Sequence, residues 1–446
     1  MLILSLETQM PRERRITTVI AVLLVSLQSL AAQGKAAGAT PGIQSFPELT
    51  PLPLAEQLSA MREPLPVETL IDASLQFSGA SEDAAAADRE KLASLMSKFR
   101  DEVADVTSQA DLAEKTLTFL HRNLLTTYSE RQTRIDTTLE TGVFNCVSSA
   151  VLYMILARSV GLSVGGVRTA DHAFCTVLVD GEPVDVETTN AYGYSPGTRK
   201  EFSDSFGKLT GFSYVPPSNY RDRRPIGERE LLGLILYNRV SEYTDGRYFR
   251  DALTPAVSLY ALVQNEEFKK IATLALSNYV SWLGTRQDFA RAIQFMDAVK
   301  ASFGGTLDLE QRRRDIYHNW VVSLFNARAF PDAETLLSQP AVKATLDESD
   351  WNNLSVSLVQ LRAEDEANNN GYMAAAQVVA DGIKRIGNNP LLLQAYESYV
   401  HNAFAQMYNA RKLVDARSIL DQGLSAYPDS RLLEQDRELL RKTPRQ

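Results

Sequence analysis

The spacing of apolar residues divides the chain into parts with different predicted structures. Helical spacing begins near Ala84, and two short runs with the composition of β-strands follow in the middle of the sequence. From about Glu228 to the end, almost every segment has helical spacing again. We therefore expect an α+β region followed by an all-α region.

The middle of the chain contains two well-marked helices. Asp111 and Glu114 have the spacing of a capping box and open a helix that runs to about Leu125. The next helix begins at Cys146 and is apolar on nearly all sides, as is typical of a central buried helix, and Gly161 ends it. Cys146 is therefore expected in the first turn of a core helix.

A β-hairpin is predicted after this helix. The runs Phe174 to Val179 and Pro183 to Glu187 favour strands, and Asp180-Gly181 between them is typical of a two-residue turn. The predicted order is a helix packed on an antiparallel sheet.

The all-α region contains a repeated pattern. An aromatic or apolar residue followed three positions later by alanine recurs, with the alanines 41 or 42 residues apart, in units that begin at Phe289, Phe330, Tyr372 and Leu413. Small alanine side chains let paired helices approach closely. These units resemble tetratricopeptide repeats with long loops, over roughly residues 271–430. The resemblance implies a platform that recruits a protein substrate or partner.

The start of the chain predicts an export signal. Arg12, Arg14 and Arg15 precede the apolar stretch Ile16 to Leu30, and small-residue cleavage sites follow. Its strongly apolar part, Val19 to Val25, is too short to span a membrane, so we expect no stable membrane anchor; an uncleaved anchor is the alternative. The mature protein is expected to be periplasmic or secreted.

These patterns divide the chain into four expected parts. Residues 1–39 form the signal peptide, and residues 40–75 form a linker or clasp in which closely spaced prolines prevent a persistent regular element. Residues 76–226 form a cysteine domain, and residues 227–446 form the helical repeats.

Net charge and cysteine content limit the expected partners and the expected state of the thiols. The net charge is −9 and no Lys/Arg stripe is present, which argues against nucleic acid as a partner. An exported chain could pair its two cysteines, Cys146 and Cys175, in a disulfide. A chain of this size does not need a disulfide to fold, and the two cysteine side chains are expected to face different ways. Both points favour free thiols.

Cys146 is a candidate nucleophile because a helix N-terminus favours thiolate over thiol. A buried, inert cysteine at the start of a core helix is the alternative. His172 favours the interpretation of Cys146 as a nucleophile. It lies at the start of the strand leading into the hairpin, where it can act as a general base.

The hairpin register selects the carboxylate that can orient this histidine. If Val179 pairs with Glu182, His172 faces Thr189, and Glu187 is its diagonal neighbour on the same face. Asp185 shares that face but lies about 13 Å from Thr189 along the strand, which makes it the weaker alternative. Cys175 projects from the opposite face, where it is expected to be a small buried side chain.

The chain resembles the transglutaminase-like superfamily of papain-like cysteine proteins over roughly residues 110–215. The resemblance is carried by Phe144-Asn145-Cys146 before a helix, followed by His172-Ala173-Phe174 and then by Glu187 and Thr189. Glu187 stands where the family has Asp, and Phe174 where Trp is common. The resemblance implies that Cys146 attacks an acyl carbon of a glutamine side chain or peptide amide and that His172 protonates the leaving amine. It also implies an oxyanion hole that includes the backbone N–H of Cys146, with Asn145 as a further candidate.

The remaining candidates are expected to have structural roles. His121, His318 and His401 fall on predicted helices, and the cysteines and histidines show no metal-ligand spacing, so we expect neither a metal nor a cofactor. The turn-rich segment from Asn190 to Gly197 either lines the substrate cleft or forms a plain surface loop.

The sequence predicts an exported protease, amidase or transglutaminase that uses a Cys-His-acid triad on a protein or peptide substrate. The alternative is a catalytically inactive periplasmic scaffold in which the repeats carry the function. The order of Cys146, His172 and Glu187 favours the enzyme.

Overall fold

The computed structural model describes residues 45–196, 202 and 222–443, which belong to one compact unit. The predicted export signal lies outside these residues. The described chain is mostly helical with a small antiparallel sheet, as the α+β pattern predicts. No helix within these ranges has the length and apolar character needed to cross a membrane.

The N-terminal half contains the sheet and the helices around it. The helices are α1 (Pro53–Ser59), α2 (Val67–Ser78), α3 (Glu82–Glu102), α4 (Gln109–Asn123), α5 (Ile135–Thr141) and α6 (Cys146–Ser159). The sheet contains β3 (Val164–Arg168), β4 (Ala173–Val179), β5 (Glu182–Val186) and β6 (Arg224–Ile226) in the order β5-β4-β3-β6. A separate parallel pair is formed by β1 (Thr127–Tyr128) and β2 (Val143–Phe144).

The C-terminal half is helical throughout its described length. Its helices are α7 (Glu228–Asp245), α8 (Leu253–Leu262), α9 (Glu266–Thr285), α10 (Phe289–Phe303), α11 (Glu310–Asn326), α12 (Phe330–Ser338), α13 (Pro340–Thr345), α14 (Glu348–Asn370), α15 (Tyr372–Ile386), α16 (Pro390–Asn409), α17 (Leu413–Ala426) and α18 (Arg431–Lys442).

Helix α6 lies at the centre of the N-terminal half, as its apolar sequence predicts. It packs against β3 and β4 on one side and against α2, α4 and α7 on others. Tyr153 and Met154 are fully buried, and Gly161 follows the helix with φ +85°. The helix thus fixes the position of Cys146, at its first turn, relative to the sheet.

The predicted hairpin register is confirmed. Val179 pairs with Glu182, and Asp180 and Gly181 have φ values of +51° and +89°, as a tight two-residue turn requires. The register prediction did not include β3 and β6. Gly166 in β3 lies so close to β6 that an added Cβ would be 2.7 Å from the Ile226 side chain.

Residues 45–78 fit the clasp rather than the linker, and the expectation that their prolines prevent regular elements is wrong. Pro53 begins α1 and Pro66 is the N-cap of α2, positions where a helix does not need the missing N–H. Leu58, Leu65 and other apolar side chains of the segment are fully buried. We call residues 45–78 the N-terminal clasp, because α1 packs on α8 and α2 packs on α7.

The predicted N-cap of α4, Asp111, is wrong by three residues. The helix begins at Gln109, and the Ser108 hydroxyl accepts the backbone N–H of Asp111 at 3.2 Å. Ser108 is therefore the N-cap, and Asp111 lies in the first turn, where its charge suits the helix dipole.

The four repeated sequence units coincide with helix starts. Helices α10, α12, α15 and α17 begin at the predicted residues, and the alanine of each unit is completely buried. The expected boundary at residue 226 does not separate two cores, because α7 shares its buried leucines with the core around α6.

Candidate active site

Cys146 occupies the first position of α6, next to a complete capping box. The side-chain oxygen of Asn145 accepts the backbone N–H groups of Val147 and Ser148 at 3.0 Å, and the Ser148 hydroxyl accepts the N–H of Asn145 at 2.9 Å. Cys146 is half-buried. Within the described ranges no acceptor engages its backbone N–H, so this donor is available at the helix N-terminus.

Asn145 does not fit its suggested part in an oxyanion hole. Its side-chain amide donates to the Glu130 carbonyl at 3.0 Å and to the Thr133 hydroxyl at 2.7 Å. Its backbone N–H is bound by Ser148. The donors of Asn145 thus hold the loop before α6, which leaves the backbone N–H of Cys146 as the oxyanion candidate.

His172 and Glu187 meet at the open end of the hairpin. His172 lies just before β4 and Glu187 just after β5, and His172 Nε2 is 2.7 Å from Glu187 Oε2. The other oxygen of Glu187 accepts the backbone N–H of Thr189 at 3.2 Å and its hydroxyl at 2.7 Å. The proximity expected from the hairpin register is confirmed, and the carboxylate is fully hydrogen-bonded.

Burial and charge act against each other in this pair. Burial alone would lower the pKa of His172, but the Glu187 carboxylate and the Cys146 thiol outweigh it and raise that pKa well above its ordinary value. Burial alone would raise the pKa of Glu187, but His172 and the two Thr189 donors lower it. The charged imidazolium–carboxylate form is therefore favoured next to Cys146.

Asp185 does not reach His172. It pairs with Thr176 across the hairpin, and two guanidinium N–H groups of Arg223 donate to its carboxylate, each at 2.6 Å. The same guanidinium lies 5.3 Å from the centre of the Phe174 ring. Asp185 thus belongs to a separate ion pair, as its distance along the strand predicted.

Cys175 has a structural environment. It is fully buried, and its thiol donates to the Ala150 carbonyl in α6 at 3.4 Å. Burial raises the pKa of this thiol well above its ordinary value. Both cysteines are free, with Cys146 at the start of α6 and Cys175 on the sheet face that packs against that helix.

The loop after the acid supports Glu187. The backbone N–H of Glu187 donates to the Gly193 carbonyl at 2.8 Å, and Tyr194 forms a β-bridge with Val186. A Cβ at position 193 would lie 1.9 Å from the Glu187 carbonyl oxygen, so only glycine fits there. Gly197 lies outside the described residues.

The sequence alone did not predict that His121 and Tyr128 lie close to the candidate site. His121 Nε2 is 3.0 Å from the Thr188 carbonyl oxygen. Tyr128 pairs with Phe144, and burial followed by the charges of Cys146, Glu130 and Glu187 raises its pKa. For His121 a signal existed: it continues the buried stripe of Ala113 and Leu117 at helical spacing.

The two other helical histidines lie in the repeats. His318 binds Asp350 at 3.0 Å, and His401 binds Asp436 at 2.7 Å, each pair joining two helices. Both histidines therefore have the structural role that the sequence suggested.

Comparisons with protein-family models, with curated proteins and with solved structures find no match to this chain.

Proposed function

We propose that this chain is an exported, transglutaminase-like cysteine enzyme that cleaves or transfers amide bonds of a protein or peptide. The observation that carries the proposal is the 2.7 Å contact between His172 and the buried Glu187 carboxylate, with the partly exposed Cys146 thiol beside it. A papain-like core is supported by α6 packing directly on β4, which follows His172, and by the pairing of β4 with β5, which precedes Glu187.

In this proposal each group has a defined role. Because Glu187 occupies Nε2 of His172, Nδ1 is the ring nitrogen left to face Cys146. The Cys146 thiolate attacks the acyl carbon, and the backbone N–H of Cys146 stabilises the resulting oxyanion. The C–N bond then breaks, and the leaving amine takes a proton from His172. Water, or a second amine, loses a proton to His172 and attacks the thioester, and cleavage of the C–S bond restores the Cys146 thiolate beside the protonated His172.

Glutamate can replace the aspartate of the family because its longer side chain is held inside its own loop. Thr189 fixes one carboxylate oxygen and directs the other towards His172. Glu187 is only 4% exposed, so little water competes for these contacts.

The enzyme proposal predicts unequal thiol reactivity. At pH 6, iodoacetamide is expected to modify Cys146 at least tenfold faster than Cys175, because Cys146 is accessible and paired with a charged histidine while Cys175 is buried. The measurement is peptide mass spectrometry after timed labelling. Cys146→Ala is the control and should remove the fast phase. Equal labelling of both thiols would contradict the proposal and favour the inactive scaffold.

The helical region offers a groove that supports recruitment of a partner. One face of α14 and one face of α16 enclose about 590 Å³. Its lining combines the apolar or aromatic Leu361, Ala395 and Tyr399 with the polar Ser357, Gln360, Glu364, Ser398 and Asn402. Apolar side chains beside hydrogen-bonding ones suit an extended peptide segment.

This groove can be tested with one tyrosine and a matched control. Peptides selected from a random display library for binding to the full chain are expected to bind Tyr399→Ala roughly tenfold or more weakly, because Tyr399 is the aromatic side chain of the groove. Tyr372→Ala, at an exposed tyrosine outside the groove, should bind them normally. Titration by fluorescence polarisation measures both. Unchanged binding by Tyr399→Ala would place the peptide site elsewhere.

A further inference from the structure

His121 lies directly behind the Cys146–His172–Glu187 site. Its half-buried ring projects from α4, and Nε2 is 3.0 Å from the carbonyl oxygen of Thr188, the residue after the candidate acid. Because a carbonyl can only accept, Nε2 carries the hydrogen and donates it. The edge of the same ring meets Phe144, two residues before Cys146, with ring centres 5.6 Å apart.

Thr188 is also joined to the turn that carries the nucleophile. Its hydroxyl is 2.9 Å from the Ser149 hydroxyl, and Ser149 donates to the Cys146 carbonyl at 3.2 Å. Phe144, Ser149 and Thr188 are buried, and His121 is half-buried. A continuous set of hydrogen bonds therefore runs from α4 through the acid loop to the first turn of α6.

Three consecutive residues of the acid loop thus have different tasks. Glu187 binds His172, Thr189 holds the Glu187 carboxylate, and Thr188 fixes the peptide between them to α4 and α6. The Thr188 carbonyl belongs to the same peptide unit as the Thr189 N–H that donates to Glu187, so a movement of this unit would displace the Glu187 carboxylate. Orienting hydrogen bonds of this kind matter because a shift of about 1 Å can cost 10²-fold in rate.

We propose that His121 is a positioning residue of the thiol site, which holds Glu187 and His172 in register with Cys146 through the Thr188 carbonyl. This inference rests on the proposed function. A purely space-filling role would be served by an apolar side chain, because a buried ring nitrogen without a partner is costly. Burial lowers the pKa of His121, which favours the neutral ring that donates through Nε2 to the Thr188 carbonyl.

The test separates the hydrogen bond from the packing of the ring. His121→Phe keeps a ring but removes the donor, whereas His121→Gln retains an N–H donor. Iodoacetamide rates at Cys146 are measured from pH 5 to pH 8, with thermal unfolding followed in parallel. His121→Phe is expected to lower the rate at pH 6 roughly tenfold and to change the pH profile, and His121→Gln to restore most of it.

Two further variants keep the inference falsifiable. His401→Phe is the control, because it removes the histidine of the His401–Asp436 pair in the repeats. It should leave the pH profile of Cys146 labelling unchanged. If His121→Phe fails to fold, His121→Leu replaces it, because it also removes the ring N–H that donates to the Thr188 carbonyl. A folded His121→Phe or His121→Leu protein with the wild-type profile would overturn the inference. A wild-type Cys146 that reacts no faster than Cys175 would instead overturn the proposed function.

Discussion

Replacement of Glu187 by glutamine is expected to slow acylation of Cys146 by at least 10²-fold, whereas Asp185→Asn should change it less than threefold. The comparable Asp-to-Asn exchange in a serine-protease triad costs about 10⁴-fold, since the amide orients the histidine wrongly. Glu187 binds His172 directly, while Asp185 is occupied by Arg223. An amide substrate measures the acylation rate directly. Alkylation by iodoacetamide at pH 6 independently measures the reactivity of the Cys146 thiol.

The same variant predicts a change in pH dependence. The Glu187 carboxylate raises the pKa of His172, so in the native protein the imidazolium persists to higher pH than an ordinary histidine allows. In Glu187→Gln that charge is lost while burial, which lowers the pKa, remains. The imidazolium is then lost at lower pH, and the rate near neutral pH should fall most. A larger loss in Asp185→Asn than in Glu187→Gln would contradict the assigned acid.

Local sequence patterns predict the parts of the site that depend on local geometry. The apolar helix that begins at Cys146 needs no long-range information, because its composition demands burial on all sides. The Asp180-Gly181 turn fixes the register, and the register places Glu187 beside His172. The contact between acid and histidine therefore follows from the order of residues along the hairpin.

Contacts between distant segments were not predictable in this way. His121 and Thr188 lie 67 residues apart, and no spacing along the chain indicates their hydrogen bond. β6, with the sequence Arg224-Pro225-Ile226, is too short to show an alternating pattern and is defined only by its pairing with β3. Proline spacing suggested a linker for the N-terminal clasp, although proline at a helix start is compatible with packed helices.

The junction between sheet and helical repeats combines several of these long-range contacts. Glu228 at the start of α7 accepts the backbone N–H of Leu65 at 2.6 Å and pairs with Arg158 of α6 at 2.9 Å. The carboxylate of Glu63, in the N-terminal clasp, accepts the N–H groups of Glu228 and Arg229 at 3.1 and 3.0 Å. The clasp, α6 and α7 therefore form one structural unit around the site.

A chain that ends at Pro225 is accordingly expected not to fold. It loses the core side chains of α7, which are Leu231, Leu232, Leu234, Ile235 and Leu236, all at most 3% exposed. Burial of one such side chain contributes about 2 kcal/mol, so their combined loss approaches the roughly 5–15 kcal/mol of a whole domain. The cut also leaves Arg158 and the Leu65 N–H without the partner that Glu228 provides.

A chain that ends at Gly305 is the matched control for this truncation. It keeps α7 and α8, the α9–α10 helix pair and the complete core around α6, and it removes helices that contact chiefly their neighbours in the repeats. It is expected to unfold cooperatively and to retain fast labelling of Cys146, while the Pro225 chain shows neither property. Circular dichroism during thermal unfolding, together with the labelling rate, distinguishes the two. A cooperatively folded Pro225 chain with a reactive Cys146 would show that α7 is dispensable and that the cysteine domain ends where the sequence pattern first suggested.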